Sequence, residues 1–341
     1  MELPMSGVVI NPYLLILIGF CVGVLGGFFG VGGSWFVTPA LNIFGFPMAF
    51  AIGTDLAHIM GKSIIATFRH QKMGNVDIKL GLLMIFGTVF GVELGKEMIL
   101  SLEKTGLTSP VVRGIYIFVL GSIGSYMVYD YFRFTRFVKP LKGIGQEESL
   151  GTALSRWVLK IKIPPMVNLR VSNIPSISVW VIIFIGFATG FFAGFLGGGA
   201  GYIRMPALVY VLGVPTTVAV GTDLFEIIFS SGYGAFVYAL EGKVDLIAAM
   251  IMLVGAAVGA QLGSIATRYI KSMRIRLYFG YSVLLAGVSV VLKQVGDSWA
   301  IPLLGNLAGI LILALAVYMS VLIIFGLARG MWEEKRYFSH E

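Results

Sequence analysis

The sequence predicts an all-α polytopic membrane protein. It reads as two inverted-topology repeats, each opening with a Gly/Pro-broken (re-entrant or half-length) helix pair, plus one extra C-terminal transmembrane helix. Three observations predict this. The 341 residues are 57% hydrophobic and 12% charged, with mean hydropathy +0.90, against about 45–50% apolar and 25% charged in a soluble domain. A pattern of Gly, Pro, Thr and Asp is written twice, at an offset of 167 residues that becomes 168 after a one-residue insertion. The basic residues, finally, are divided very unevenly between the loops.

The first copy carries Gly19, Gly23, Gly27, Gly30, Pro39, Gly45, Pro47, Gly53, Thr54, Asp55, Gly74, Asp77, Gly91 and Gly95. The second answers with Gly186, Gly190, Gly194, Gly197, Pro206, Gly213, Pro215, Gly221, Thr222, Asp223, Gly242, Asp245, Gly259 and Gly263. Duplicated apolar units interrupted by Gly and Pro at matching points are the best sequence pointer to a transporter's binding site.

Apolar runs at Tyr13–Phe29, Leu56–Phe68, Ile78–Leu94, Val111–Tyr131, Val179–Leu196, Leu224–Leu240, Leu246–Ala266, Leu277–Leu292 and Ile301–Leu327 are the candidate membrane segments. Several reach the ~20 residues a bilayer requires. No Lys or Arg and no small-residue cleavage site accompanies the first run. It therefore reads as a membrane segment and not a removable signal peptide. The organisation is a first repeat at 1–132, a basic cytoplasmic linker at 133–177, a second repeat at 178–293, and an added span with a cytoplasmic tail at 294–341. Basic residues around Arg156–Lys162 suit a face resting on anionic lipid headgroups.

Each repeat opens on an apolar stretch running into a Gly cluster, followed by Pro39 or Pro206. Gly costs about 1 kcal/mol and Pro about 3 in a helix interior, so an unbroken helix is not expected there. Irregular backbone inside a bilayer survives only when buried in protein or lining a cavity. The stripes Gly19/Gly23/Gly27 and Gly186/Gly190/Gly194 read as packing faces that admit a neighbouring backbone.

Eighteen basic residues fall on one side of the predicted topology, including those of the central linker, and five on the other, with Lys62 and Arg204 inside apolar segments. By the positive-inside rule the eighteen are cytoplasmic. This makes a multi-pass protein of the cytoplasmic (inner) membrane with its N-terminus outside and its C-terminus in the cytoplasm. The net charge of +8 belongs to this asymmetry, and no nucleic-acid partner is expected. Cys21 is the only cysteine, which excludes an intrachain disulfide.

Asp55 with His58, and Asp223 with Glu226, share a helical face at i, i+3. Intramembrane ionisable groups default to a functional reading. If the copies face each other these four converge, either as a proton relay or as ligands of a divalent cation. Thr54 and Thr222 have a second reading as helix N-caps, with the Asp beside them complementing the helix dipole. Lys62 either pairs with Asp55 or Glu226 or meets an anionic substrate. Arg204 either grips a small oxyanion or snorkels to the interface. Ser34, Thr38, Ser63 and Ser231 are neutral ligand candidates. Asp77 and Asp245 read as helix caps, and Glu93, Lys96 and Glu97 as a solvated interface cluster. Nothing resembles a phosphate-binding loop or a catalytic dyad, so neither an enzyme nor a cofactor is expected.

The run G-x-x-G-x-G-G, then P-A-L, G-x-P and A-x-G-T, stands here at Gly27–Gly33, Pro39–Leu41, Gly45–Pro47 and Ala51–Thr54. It recurs at Gly194–Gly201, Pro206–Leu208, Gly213–Pro215 and Ala219–Thr222. This resembles the sulfite exporter TauE/SafE family of membrane permeases. The resemblance implies transport of a small anion such as sulfite, a sulfonate like sulfoacetate, or a related sulfur-containing or organic anion. It places the Gly breaks in the substrate pathway. Where a small residue commonly follows Gly-Thr in that family, Asp55 and Asp223 stand here, which points to a proton-linked member.

The substrate-binding set is then Gly30, Gly32, Gly33, Ser34, Thr54 and Lys62 with Gly197, Gly198, Gly199, Gly201, Arg204 and Thr222. Asp55, His58, Asp223 and Glu226 handle protons. The partners are the anion, the lipid bilayer, protons and a second copy in a homo-oligomer. A divalent-cation permease and a membrane scaffold of a sulfur pathway are the rival readings.

Overall fold

The computed structural model describes residues 1–31, 33–137, 153–270 and 272–338. Gly32 and residues 138–152 of the central polar segment lie outside the described residues. The first repeat comprises α1 (Pro12–Phe29), α2 (Ser34–Ile43), α3 (Met48–Lys72), α4 (Ile78–Thr105) and α5 (Thr108–Phe137). A short α6 (Ala153–Val158) and an antiparallel pair of strands, β1 (Met166–Leu169) and β2 (Ile174–Ser178), follow. The second repeat comprises α7 (Val179–Leu196), α8 (Gly201–Pro206), α9 (Thr216–Leu240), α10 (Leu246–Tyr269) and α11 (Ser272–Ser298). The last helix, α12 (Pro302–Phe338), stands outside the repeat.

Seven of these helices are long and apolar enough to cross a membrane: α1, α4, α5, α7, α10, α11 and α12. They present large apolar side chains outward, such as Phe86 and Phe90 on α4, Phe118 on α5, Phe184 on α7 and Phe325 on α12. The chain is an all-α polytopic membrane protein. The helices α3 and α9 match the length of a span but carry the polar side chains of the centre, which lowers their hydropathy.

Local chemistry sets the boundaries. Pro12 opens α1 behind Asn11, whose side chain accepts from the Tyr13 N–H at 3.0 Å. Gly30, at φ 76°, ends the helix in a left-handed conformation that a side chain disfavours. Asp77 and Asp245 cap α4 and α10, accepting from Leu80 and Ala248 at 3.1 and 3.2 Å, as the sequence predicts. Each break joins one helix long enough to span to one short helix, and not the two short or half-length helices expected: α1 has 18 residues and α2 has 10, while α7 has 18 and α8 has 6. The glycines make the break. Pro39 sits inside α2, and Pro206 closes α8 ahead of a π-helical turn, Ala207–Val211.

The glycine stripes do the packing expected of them. Gly19, Gly23 and Gly27 of α1 lie on the α10 backbone at Met252, Ala256 and Ala260, while Gly255, Gly259 and Gly263 of α10 lie on Ile16, Phe20 and Val24. Residue numbers rise together, so α1 and α10 run parallel. The second pair repeats this: Gly186, Gly190 and Gly194 of α7 meet Met84, Thr88 and Val92 of α4. Between these pairs α3 and α9 cross antiparallel, with Gly53 against Tyr238, Leu56 against Gly234, Met60 against Gly232 and His70 against Gly221. Outside them α5 and α11 pair antiparallel, Gly124 against Leu284 and Leu120 against Gly287. Each helix of the first copy therefore runs opposite to its counterpart in the second. Following these directions, Arg69, Lys72, Lys79, Arg268, Arg274, Arg276 and Arg329 gather at one end of the bundle. Lys104, Arg113, Lys243 and Lys293 mark the other.

Candidate functional site at the crossing of the two long polar helices

The two Gly breaks sit against the crossing. Gly30 rests on Val220 of α9 and Gly197 on Ile52 of α3, so each turn touches the long helix of the other copy. Gly33 at φ 70° is the N-cap of α2, and Gly197, Gly198 and Gly199 all have positive φ. Gly201 starts α8 with ordinary helical angles and lies against Val31. Ser34 is the first residue of α2.

Four titratable groups predicted to converge do not do so. In the α3–α9 register, Asp55 lies opposite the far half of α9, and Asp223 is about 20 Å along the axis from it by helical rise. His58 and Glu226 are displaced by about 10 Å in the same way. No cluster of three or more His, Cys, Asp or Glu suited to a metal ion occurs among the described residues. The four-ligand cation site is thereby corrected: antiparallel crossing sends the two pairs to opposite ends of the contact.

The second-copy cluster is mostly paired within itself, although Arg204 Nη2 and Asp223 Oδ2 have no hydrogen-bond partner among the described residues. Arg204 Nη1 donates to Asp223 Oδ1 at 3.1 Å and pairs with Glu226 as well, while its Nε donates to Thr189 Oγ1 at 3.1 Å. Thr88 donates to Glu226 Oε1 at 2.5 Å and Ser230 to Oε2 at 3.1 Å. Arg204 does not snorkel: it is buried and two acids of α9 share its charge, while its Nη2 is left without a hydrogen-bond partner among the described residues. Its side chain and theirs are fully buried.

The first-copy cluster is open. Thr38 donates to Asp55 Oδ2 at 2.7 Å, and His58 Nδ1 lies 3.9 Å from Asp55 Oδ1. Lys62, 1% exposed, has no hydrogen-bond partner at Nζ among the described residues. Both ring nitrogens of His58 and the hydroxyls of Ser63 and Ser231 are likewise buried and unpartnered. The expected pairing of Lys62 with Asp55 or Glu226 is not made. Instead the ammonium lies against Gly33, where a Cβ would stand 3.3 Å from Nζ, and Ser231 Oγ lies against Gly199 at 2.8 Å by the same measure. Lys62 thus places a positive charge beside the positive end of α2, whose first N–H groups have no intrahelical acceptor.

Thr54 and Thr222 serve elsewhere. Each is the seventh residue of its helix, behind Pro47 or Pro215 at the N-cap, so neither is a cap. Thr54 Oγ1 accepts from the Asp245 N–H, and Thr222 Oγ1 from the Asp77 N–H, both at 2.9 Å. Each threonine holds the start of the other copy's next helix. The remaining oxygens of those caps bind short preceding segments: Asp245 Oδ2 accepts from Ser6 and Asp77 Oδ2 from Ser172, through both N–H and hydroxyl. Lys96 is buried and paired with Glu93 and Glu97 at 2.7 and 2.9 Å, while the side chains of both acids reach solvent, as in a solvated cluster.

Sequence reasoning missed Tyr116, which donates to the Leu196 carbonyl at 2.5 Å, and Tyr202, stacked on it at 5.9 Å. The signal available was Trp35 and Tyr202 standing five residues after Gly30 and Gly197, a large aromatic in the same place of each repeat.

The chain is similar to proteins described as probable membrane transporter proteins. The chain is 24% identical over 292 residues to the "Probable membrane transporter protein YunE" of Bacillus subtilis, covering 83% of this chain and 98% of the relative. It is 26% identical over 256 residues to YdhB of the same organism, with 74% and 88% covered. A 72-residue stretch is 46% identical to MJ0441 of Methanocaldococcus jannaschii, covering 19% and 27%. Both of these carry the same description, probable membrane transporter protein. No solved structure matches. Residues 15–290 match the family described as sulfite exporter TauE/SafE, and the chain belongs to that family of membrane transporters.

Proposed function

We propose that this protein is a secondary transporter for a small anion, such as sulfite, a sulfonate or a related organic anion, bound where Lys62 meets the N-terminus of α2. One observation carries the reading: a fully buried ammonium without a hydrogen-bond partner, set against the N-cap glycine of a helix. An oxyanion there would take the Lys62 charge, the free amides of α2, and the hydroxyls of Ser63 and Ser231. Helix N-termini suit such ligands. The family name and the relatives described as membrane transporters are consistent with this substrate class.

Protons enter the cycle through Asp55. Asp55 and Lys62 interact electrostatically across two turns of α3. An anion arriving at Lys62 takes over that compensation and leaves the buried carboxylate unpaired, a costly state. Protonation of Asp55 relieves it, so anion and proton travel together. The basic end of the bundle faces the cytoplasm in this reading, which puts the N-terminus outside in the cytoplasmic membrane. An interior-negative potential contributes about 2.3 kcal/mol per charge per 100 mV to anion exit.

Purified protein in liposomes loaded with sulfite or sulfoacetate, at two pH values, tests the proposal. Saturable flux of at least one anion is expected, lost in Lys62→Gln with the folded protein intact. Flux unchanged in that variant, or none for any anion of the panel, would refute it; the latter favours a scaffold.

A further inference from the structure

Two ion pairs at opposite ends of the molecule are related by the same exchange of copies that relates the helices. Near the start of α5, Arg113 Nη1 donates to Asp297 Oδ2, near the end of α11, at 2.6 Å. Near the start of α11, Arg276 lies 3.7 Å from Asp130 Oδ2, late in α5. Both pairs therefore join the same two helices, once at each end.

Each arginine also grips the corner where a short helix turns into a long polar one. Arg113 donates through Nε and Nη2 to Asn42 Oδ1, in the last turn of α2, at 2.9 and 2.8 Å. Arg276 donates through the same two nitrogens to Thr216 Oγ1, the first residue of α9, at 2.9 and 2.7 Å. A third group braces each acid: Lys293 lies 3.0 Å from Asp297 Oδ1, and Tyr210 donates to Asp130 Oδ2 at 3.1 Å. Thus one guanidinium per end ties α5, α11 and a corner of the broken segment into one knot.

What lies behind the knots is sealed. Asp55, His58, Lys62, Arg204, Asp223 and Glu226 are at most 1% exposed. At the Arg113 end a small cavity is lined by Asn42, Met48, Arg113, Tyr116 and Lys293. The Tyr116 hydroxyl in turn holds the Leu196 carbonyl beside the second break. Asn42, Arg113 and Lys293 of the knot thus line this cavity together with Tyr116.

We propose that Arg113–Asp297 and Arg276–Asp130 are the two gates of the protein, released one at a time, and that the structure is the occluded form with both fastened. Breaking one end frees α2 or the α8–α9 corner, which opens a route to the α3–α9 crossing from that end alone. The inference concerns access, and it stands or falls separately from the identity of the solute.

Cys21 is the only cysteine, so Cys21→Ser gives a thiol-free background in which Ser63→Cys reports access to the crossing. Labelling by a membrane-impermeant thiol reagent, added on either side of oriented vesicles, reads which end is open. Asp297→Asn is expected to speed labelling from the Arg113 end about tenfold and slow it from the other, with Asp130→Asn doing the reverse. Combining the two is expected to restore comparable rates from both sides. The exchange Arg113→Asp with Asp297→Arg is expected to return labelling to the background rate, and serves if the single variant does not fold. Both substitutions affecting the same end, or neither affecting any, would overturn the proposal. Shifted labelling, with no anion flux in the protein that keeps Ser63, keeps the gates and removes the proposed substrate; flux with unshifted labelling does the opposite.

Discussion

Arg204 Nη1 lies 3.1 Å from Asp223 Oδ1, both side chains fully buried, and the same nitrogen also faces Glu226. Removing one member of such a cluster leaves uncompensated charge in the interior, at about 3–5 kcal/mol. Arg204→Met is therefore expected to abolish the monodisperse folded protein in detergent. Adding Asp223→Asn and Glu226→Gln should restore part of the yield. Lys62→Met takes away the charge that compensates Asp55, so the thermal midpoint is expected to fall and to recover when Asp55→Asn is added. Thermal unfolding and size-exclusion profiles of these variants check both statements.

Asp55→Asn makes permanent the neutral state that the carboxylate reaches by taking a proton. Anion flux is expected to persist in this variant, yet a pH gradient should no longer drive it. The wild type should show accumulation that follows the gradient. Counterflow and gradient-driven uptake, compared in the same liposomes, separate these outcomes. A variant that still accumulates anion along the pH gradient removes Asp55 from the coupling.

Thr54 and Thr222 each satisfy a buried backbone N–H of the opposite repeat. An orphaned buried donor costs about 1–3 kcal/mol. Thr54→Val and Thr222→Val are expected to lower stability by similar amounts, because the two bonds have the same length, while Thr→Ser retains most of it. A variant pair with no change in thermal midpoint would show that water replaces the lost acceptor.

Gly23 and Gly121 are both helical, but their surroundings differ. A Cβ at Gly23 would lie 2.6 Å from the Ala256 carbonyl oxygen, whereas at Gly121 nothing lies within 4 Å. Gly121→Ala should gain up to about 1 kcal/mol from helix propensity. Gly23→Ala should cost about 1–3 kcal/mol, because α1 and α10 must separate. Unfolding midpoints of the two single variants, measured side by side, decide the matter.

The repeat, the membrane class, the glycine stripes and the Asp77 and Asp245 caps were legible because each has a local pattern: a period, a composition or a helix-start signal. The arrangement of the charged groups was not. Whether Asp55 meets Asp223 depends on the register in which α3 crosses α9, and the side-by-side packing of Leu56 with Gly234 leaves no trace at either position. Arg204 looked available for the same reason, since its acids lie 19 and 22 residues along the chain on another helix. The caps were read correctly but incompletely. Ser6 and Ser172 bind the second carboxylate oxygens from segments with no apolar periodicity, and β1 and β2 sit where only a polar linker was expected.

The threonine–cap bonds extend further than their energies suggest. Because Thr54 holds Asp245 while Thr222 holds Asp77, neither half of the chain can complete its third long helix start without the other. A chain released halfway through synthesis would therefore leave the Asp77 N–H without its acceptor, and the first half must wait in the bilayer for the second. Co-insertion of both halves, expressed as separate polypeptides, is then a matter of mutual rescue and not of independent assembly.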